Sequence, residues 1–111
     1  MAALDHLEST GALAADRFTE SFIRSRVAKG QGPVRIRADL VNHGVDGAAA
    51  AELLRNAGID WAEAAQTVRR KRFGAELPKD YAERARQARF LEYRGFSGAE
   101  IRAALGGDPA D

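Results

Sequence analysis

Apolar residues recur along this chain at helical spacing in short blocks, and a glycine closes almost every block. Phe18, Phe22 and Ile23 share one face of a segment from Arg17 to about Lys29, with Asp16 ahead of it as a cap and Gly30 and Gly32 breaking it. Pro33 suits the first turn of a second helix, because its fixed φ is already helical and its missing N–H has no partner there. That helix is predicted to reach His43, with Ile36, Leu40 and His43 inward, and to end at Gly44. Asp46 caps a third helix through Ala57 that carries Leu53 and Leu54, and Gly58 closes it. Asp60 and Glu63 have capping-box spacing ahead of a helix from Trp61 to Arg72. A loop over Phe73 to Pro78 precedes a helix from about Lys79 to Arg94, stopped by Gly95. Ser97 and Glu100 repeat the box before a short helix from Gly98 to Leu105, and 106–111 reads as a frayed tail. No stretch alternates apolar and polar residues between turn signals, so no sheet is expected and the class is all-α.

The punctuation itself repeats. Leu40, Gly44, Val45 and Asp46 are echoed by Leu91, Gly95, Phe96 and Ser97: a leucine helix end, a glycine stop, an apolar residue and an N-cap. Leu7, Gly11, Asp16 and Phe18 are echoed more loosely by Leu54, Gly58, Asp60 and Trp61. The unit is therefore three helices. On this register 16–58 and 59–105 are complete repeats, and 1–15 is the last helix of a truncated first repeat plus a loop. Tandem units bury apolar faces partly against their neighbours, which predicts an elongated, slightly curved array.

The apolar fraction of 45% and charged fraction of 30% are those of a folded soluble chain. With no cysteine there is no disulfide, thiol nucleophile or thiolate metal site. No signal-peptide pattern or membrane-length apolar run is present, so a cytoplasmic protein that does not engage membranes is expected. The net charge is only +1, yet Arg17, Arg24, Arg26, Lys29, Arg35 and Arg37 face a single acid, Glu20, within their stretch. Arg69, Arg70, Lys71 and Arg72 then stand together. Such runs serve either as a solvated helix face or as a footprint for an anionic partner.

The ordered set Asp16-Arg17-Phe18, Glu20, Phe22-Ile23-Arg24-Ser25-Arg26, Lys29-Gly30, Gly32-Pro33, Arg35-Ile36-Arg37, Leu40 and Gly44-Val45 resembles the central motif of the RecX family. Arg89-Phe90-Leu91, Arg94-Gly95-Phe96-Ser97 and Ile101-Arg102 resemble its C-terminal motif. The resemblance implies tandem repeats on a helix-turn-helix-like plan and a non-enzymatic regulator of DNA repair and the SOS response. Such a regulator binds the RecA nucleoprotein filament and inhibits RecA's recombinase, ATPase and coprotease activities. Some members also bind single- or double-stranded DNA. Family members usually carry a complete first repeat, from which this sequence departs.

Cations on rigid helices are the groups a filament binder needs. Arg24, Arg26, Lys29, Arg35 and Arg37 are candidates for one patch, because arginine pairs bidentately with carboxylate or phosphate. The competing reading pairs Arg35 and Arg37 with Asp39 or Glu20. Arg69, Arg70, Lys71 and Arg72 stand in a helix's last turn, where the macrodipole also favours them. Arg86, Arg89 and Arg94 are further candidates, with Arg84 similar. Phe18, Phe22, Trp61, Phe73, Phe90 and Phe96 are expected in the core, whereas Tyr81 and Tyr93 stay open between packing and exposure, where a tyrosine can stack on a base or mark a protein interface. His6 and His43 lack metal spacing, no P-loop is present, and Ser21, Ser25 and Ser97 have no histidine base nearby in sequence, so no catalytic residue, metal, cofactor or small-molecule substrate is expected. The alternative to a RecA regulator is a helix-turn-helix DNA-binding regulator that acts alone.

Overall fold

The computed structural model describes residues 17–107; the helix expected within 1–15, the capping role of Asp16 and the end of the tail lie outside them. Six helices and no strand occur among the described residues. We number them α1 (17–28), α2 (Pro33–Asn42), α3 (Gly47–Arg55), α4 (Trp61–Phe73), α5 (Tyr81–Tyr93) and α6 (Gly98–Ala104). The body is more than twice as long as it is broad.

Side-chain chemistry sets most of the helix starts. Asp46 accepts from the N–H groups of Ala48 and Ala49 at 3.1 and 3.2 Å, and Asp60 accepts from Glu63 N–H at 3.1 Å. Asp80 caps α5 in the same way, accepting from Glu83 N–H at 2.8 Å, so this helix begins two residues later than its predicted start. At α6 the Ser97 N–H donates to Glu100 Oε1 at 2.8 Å. Each such cap contributes about 1 kcal/mol by occupying N–H groups that the helix itself leaves free.

The sequence echo is also a geometric one. Val45 N–H donates to Leu40 O and Gly44 N–H to Val41 O, both at 3.0 Å; Phe96 N–H donates to Leu91 O at 3.1 Å and Gly95 N–H to Glu92 O at 2.9 Å. This is the same helix stop in both trios, with the glycine at positive φ. Leu40 and Leu91 are fully buried just before it, each worth about 1.5–3 kcal/mol in burial. Around them stand two separate cores. Ile23, Ile36, Leu40, Ala50 and Leu54 form the one inside α1–α3, and Ala65, Leu91, Phe96, Ile101, Ala104 and Leu105 form the one inside α4–α6.

Ile59 and Trp61 pack against the first core although they open the second trio. The trios are joined by a backbone seam as well: Gly32 N–H donates to Arg94 O at 2.8 Å and Val34 N–H to Gly95 O at 2.9 Å. A Cβ on Gly32 would stand 2.5 Å from the Gly95 carbonyl carbon, so the turn reads as a helix break in sequence but is a joint between repeats in space.

Candidate partner-binding surface

Arg69 is the clearest correction to the sequence reading. It is 1% exposed, inside the second trio, and cannot meet a partner. Its Nη1 donates to Glu76 O at 3.1 Å and its Nη2 to Ala75 O at 3.3 Å, which ties down the α4–α5 loop. Nη1 also reaches Gln87 Oε1 at 3.4 Å; Gln87 in turn donates to Glu83, and Glu83 pairs with Arg86 at 2.9 Å. Burial, and secondly the charge of Arg70, pull the Arg69 guanidinium below the ordinary arginine value. The run of four cations concealed this because consecutive helix residues point about 100° apart, and position 69 falls one turn after buried Ala65.

The remaining candidates divide by what they touch. Arg26 pairs with Asp39 at 2.8 Å and lies over the Phe22 ring, so Asp39 is taken by Arg26 and not by Arg35 or Arg37. Arg37 is exposed and its Nε donates to Gly47 O at 3.1 Å, towards α3, while Arg35 lies 6.0 Å from the Tyr93 ring centroid, towards the second trio. The single patch expected over Arg24 to Arg37 is thus spread over several directions. Arg24, Lys29, Arg70, Lys71 and Arg89 are exposed, and none has an ion-pair partner among the described residues. Arg86 is exposed but bound bidentately to Glu83, at 3.0 and 2.9 Å. Arg84, which looked similar in sequence, donates to the carbonyls of Leu105 and Gly107 and so closes the C-terminal end of α6.

Spatial convergence occurs between the trios. A groove of about 610 Å³ gathers Lys29 from the end of α1, Lys71 and Arg72 from α4 and Arg94 from the end of α5. Arg72 and Arg94 both lie over Phe90, at 5.1 and 5.2 Å, and Arg94 Nη1 donates to Lys29 O at 3.1 Å. Lys29, Lys71 and Arg94 are 42 and 23 positions apart in the chain, so no sequence run marks this group.

The aromatic expectations need revising at two points. Phe96 is core as predicted, but Phe18 is 48% exposed, and His43 is exposed instead of inward. His43 Nδ1–H donates to Asp39 O at 2.8 Å while the ring meets the Phe22 ring at 5.3 Å between centroids, a helix-end role that leaves its edge in water. Tyr81 and Tyr93 are 85% and 75% exposed, as suits a partner surface. Among the described residues, no helix is long and apolar enough to cross a membrane, and no group of His, Cys, Asp and Glu is placed to hold a metal ion.

Serial helix trios, each with its own core and joined end to end by a short seam, define a three-helix repeat protein. The model of the second three-helix domain of RecX matches residues 16–54, and that of the third matches 59–105. The chain is 48% identical over 101 residues to the regulatory protein RecX of Halorhodospira halophila, covering 91% of this chain and 63% of that protein. It is 44% identical over 110 residues to the regulatory protein RecX of Pseudomonas savastanoi pv. phaseolicola, covering 99% of this chain and 71% of the relative. This chain belongs to the RecX family of regulatory proteins.

Proposed function

We propose that this protein binds the RecA nucleoprotein filament and restrains RecA's recombinase, ATPase and coprotease activities. One observation carries the reading: both trios of an elongated body display exposed cations that no carboxylate among the described residues neutralises. Arg24, Lys29, Arg35 and Arg37 belong to the first trio, and Arg70, Lys71, Arg72 and Arg89 to the second. An extended, acidic filament can meet both sets at once, and two weak contacts on one stiff body reinforce each other through effective concentration. The two RecX domain matches and the relatives named as regulatory proteins support a regulatory role.

Replacing Arg24, Arg35 and Arg37 together by Glu is expected to abolish co-sedimentation with preformed RecA filaments and inhibition of their ATPase. The helical circular-dichroism signal should stay intact, because none of the three is buried or ion-paired among the described residues. Unchanged inhibition removes these residues from the interface. Binding to naked DNA of equal strength, weakening with salt at about 0.9 logarithmic units per neutralised phosphate, favours a DNA-directed regulator over a filament-directed one.

A further inference from the structure

The inter-repeat groove has a polarity that the exposed cations lack. Along α4 its wall runs from Glu63 through Thr67 to Lys71, positions one helical turn apart on a single face. Eight residues at 1.5 Å each separate Glu63 from Lys71 by roughly 12 Å. One end is therefore acidic, with Asp60 beside Glu63, and the other is basic, with Lys71, Arg72 and Arg94. Ile59 at the acidic end, Val68 along the α4 wall and Phe90 beneath Arg72 and Arg94 present half-buried apolar surface to the groove.

We infer that this groove docks a short extended segment of a protein partner, one that carries an apolar side chain followed by carboxylates, and that it is not a track for nucleic acid. Charge complementarity selects the occupant. A nucleic-acid strand carries one negative charge per roughly 3.4 Å of its axis, so a strand laid along 12 Å sets phosphate beside Asp60 or Glu63 and leaves the apolar floor unmatched. Three to four residues of extended polypeptide span the same length, put carboxylates only at the basic end and cover Val68 and the neighbouring Phe90 with the apolar side chain. Arg72 and Arg94 are already stacked on Phe90, so their guanidinium edges are pre-organised for carboxylates and lose little rotamer freedom on binding. The groove is made by the seam: a Cβ on Gly30 at its rim would stand 3.4 Å from both Arg94 Nη1 and Val68 Cγ2, so the end of α1 closes on α4 and α5 at van der Waals distance.

The test uses the isolated chain and does not depend on the filament reading. Nitrogen-15 NMR titrations compare acetyl-Lys-Gly-Leu-Glu-Asp-amide, the same peptide with Ser for Leu, and a five-nucleotide oligothymidine. The leucine peptide is expected to shift the amides of Ile59, Thr67, Val68 and Lys71 and to bind about fivefold or more tightly than the serine peptide, the least that partial burial of one leucine supplies. Lys71→Glu, at an exposed site, and the charge-neutral groove filler Thr67→Trp should each remove the shifts while leaving the helical signal intact. The inference is overturned if neither peptide moves these amides at millimolar concentration, if both variants bind as the parent does, or if oligothymidine moves the same amides at equal or lower concentration.

Discussion

Gly32→Ala isolates the joint between repeats, because nothing about Gly32's own backbone requires glycine. Its φ is −93°, open to any residue, and alanine at such a site ordinarily stabilises a protein by about 0.4–1 kcal/mol through the unfolded chain. Here the sign should reverse. The new Cβ would stand 2.5 Å from the carbonyl carbon and oxygen of Gly95 and 2.6 Å from Phe96 N, all backbone atoms of the other trio. Relief requires the trios to separate, which breaks the bonds from Gly32 to Arg94 and from Val34 to Gly95, each worth about 0.5–1.5 kcal/mol net. Overpacking adds about 1–3 kcal/mol. The sum, about 2–6 kcal/mol, is a large share of the stability of a small domain, and corresponds to a fall in melting temperature of roughly 10 °C or more. The control is Gly44→Ala, at a positive φ of 95° with nothing within 4 Å of a new Cβ. That variant should lose only the cost of a left-handed alanine, about 1–2 kcal/mol. Thermal and urea unfolding of the two variants, with hydrogen exchange at Val34 N–H, decide the matter. A Gly32→Ala protein that melts at or above the parent temperature with Val34 still protected refutes the seam.

Two more outcomes follow from the second trio. Arg69→Ala removes the donors to Ala75 O, Glu76 O and Gln87 and leaves a cavity, so urea unfolding should show a loss of about 3 kcal/mol, against within about 0.5 kcal/mol for Arg70→Ala one residue on; equal losses would contradict the burial assignment. Hydrogen bonds from Arg86 first, and from Gln87, hold the Glu83 carboxyl below its ordinary value. A lowered acid stabilises the fold above the ordinary glutamate range and loses that contribution as pH falls through the lowered value. A carbon-13 titration of Glu83 should find its midpoint below that of free glutamate and moving up in Arg86→Gln; an unmoved midpoint removes Arg86 as the cause.

Much of this protein was legible as punctuation. Asp46, Asp60 and Ser97 mark helix starts and Gly44, Gly58 and Gly95 mark stops through local geometry alone, which is why the six described helices fall within about two residues of their predicted bounds. Asp80 carries the same signal, but Lys79 extends the polar run ahead of it and blurs the start of α5 in sequence. The repeat was also legible, since both helix stops share a leucine and a glycine followed by an apolar residue and a capping one.

The fate of individual cations was not. Arg69 and Arg70 are adjacent and chemically equal, yet one is sealed in the core and the other stands in water, because helical phase relative to a distant packing partner decides exposure. Neither does any run of residues announce that Gly32 abuts Gly95, or that Lys29, Lys71 and Arg94 line one groove. Sequence by itself determined the helices, their caps and the repeated helix stops, whose backbone and capping bonds span at most five residues. Only the tertiary structure decided how one trio meets the next and which charges converge there, because those contacts join positions dozens of residues apart through shape and packing that no local pattern encodes.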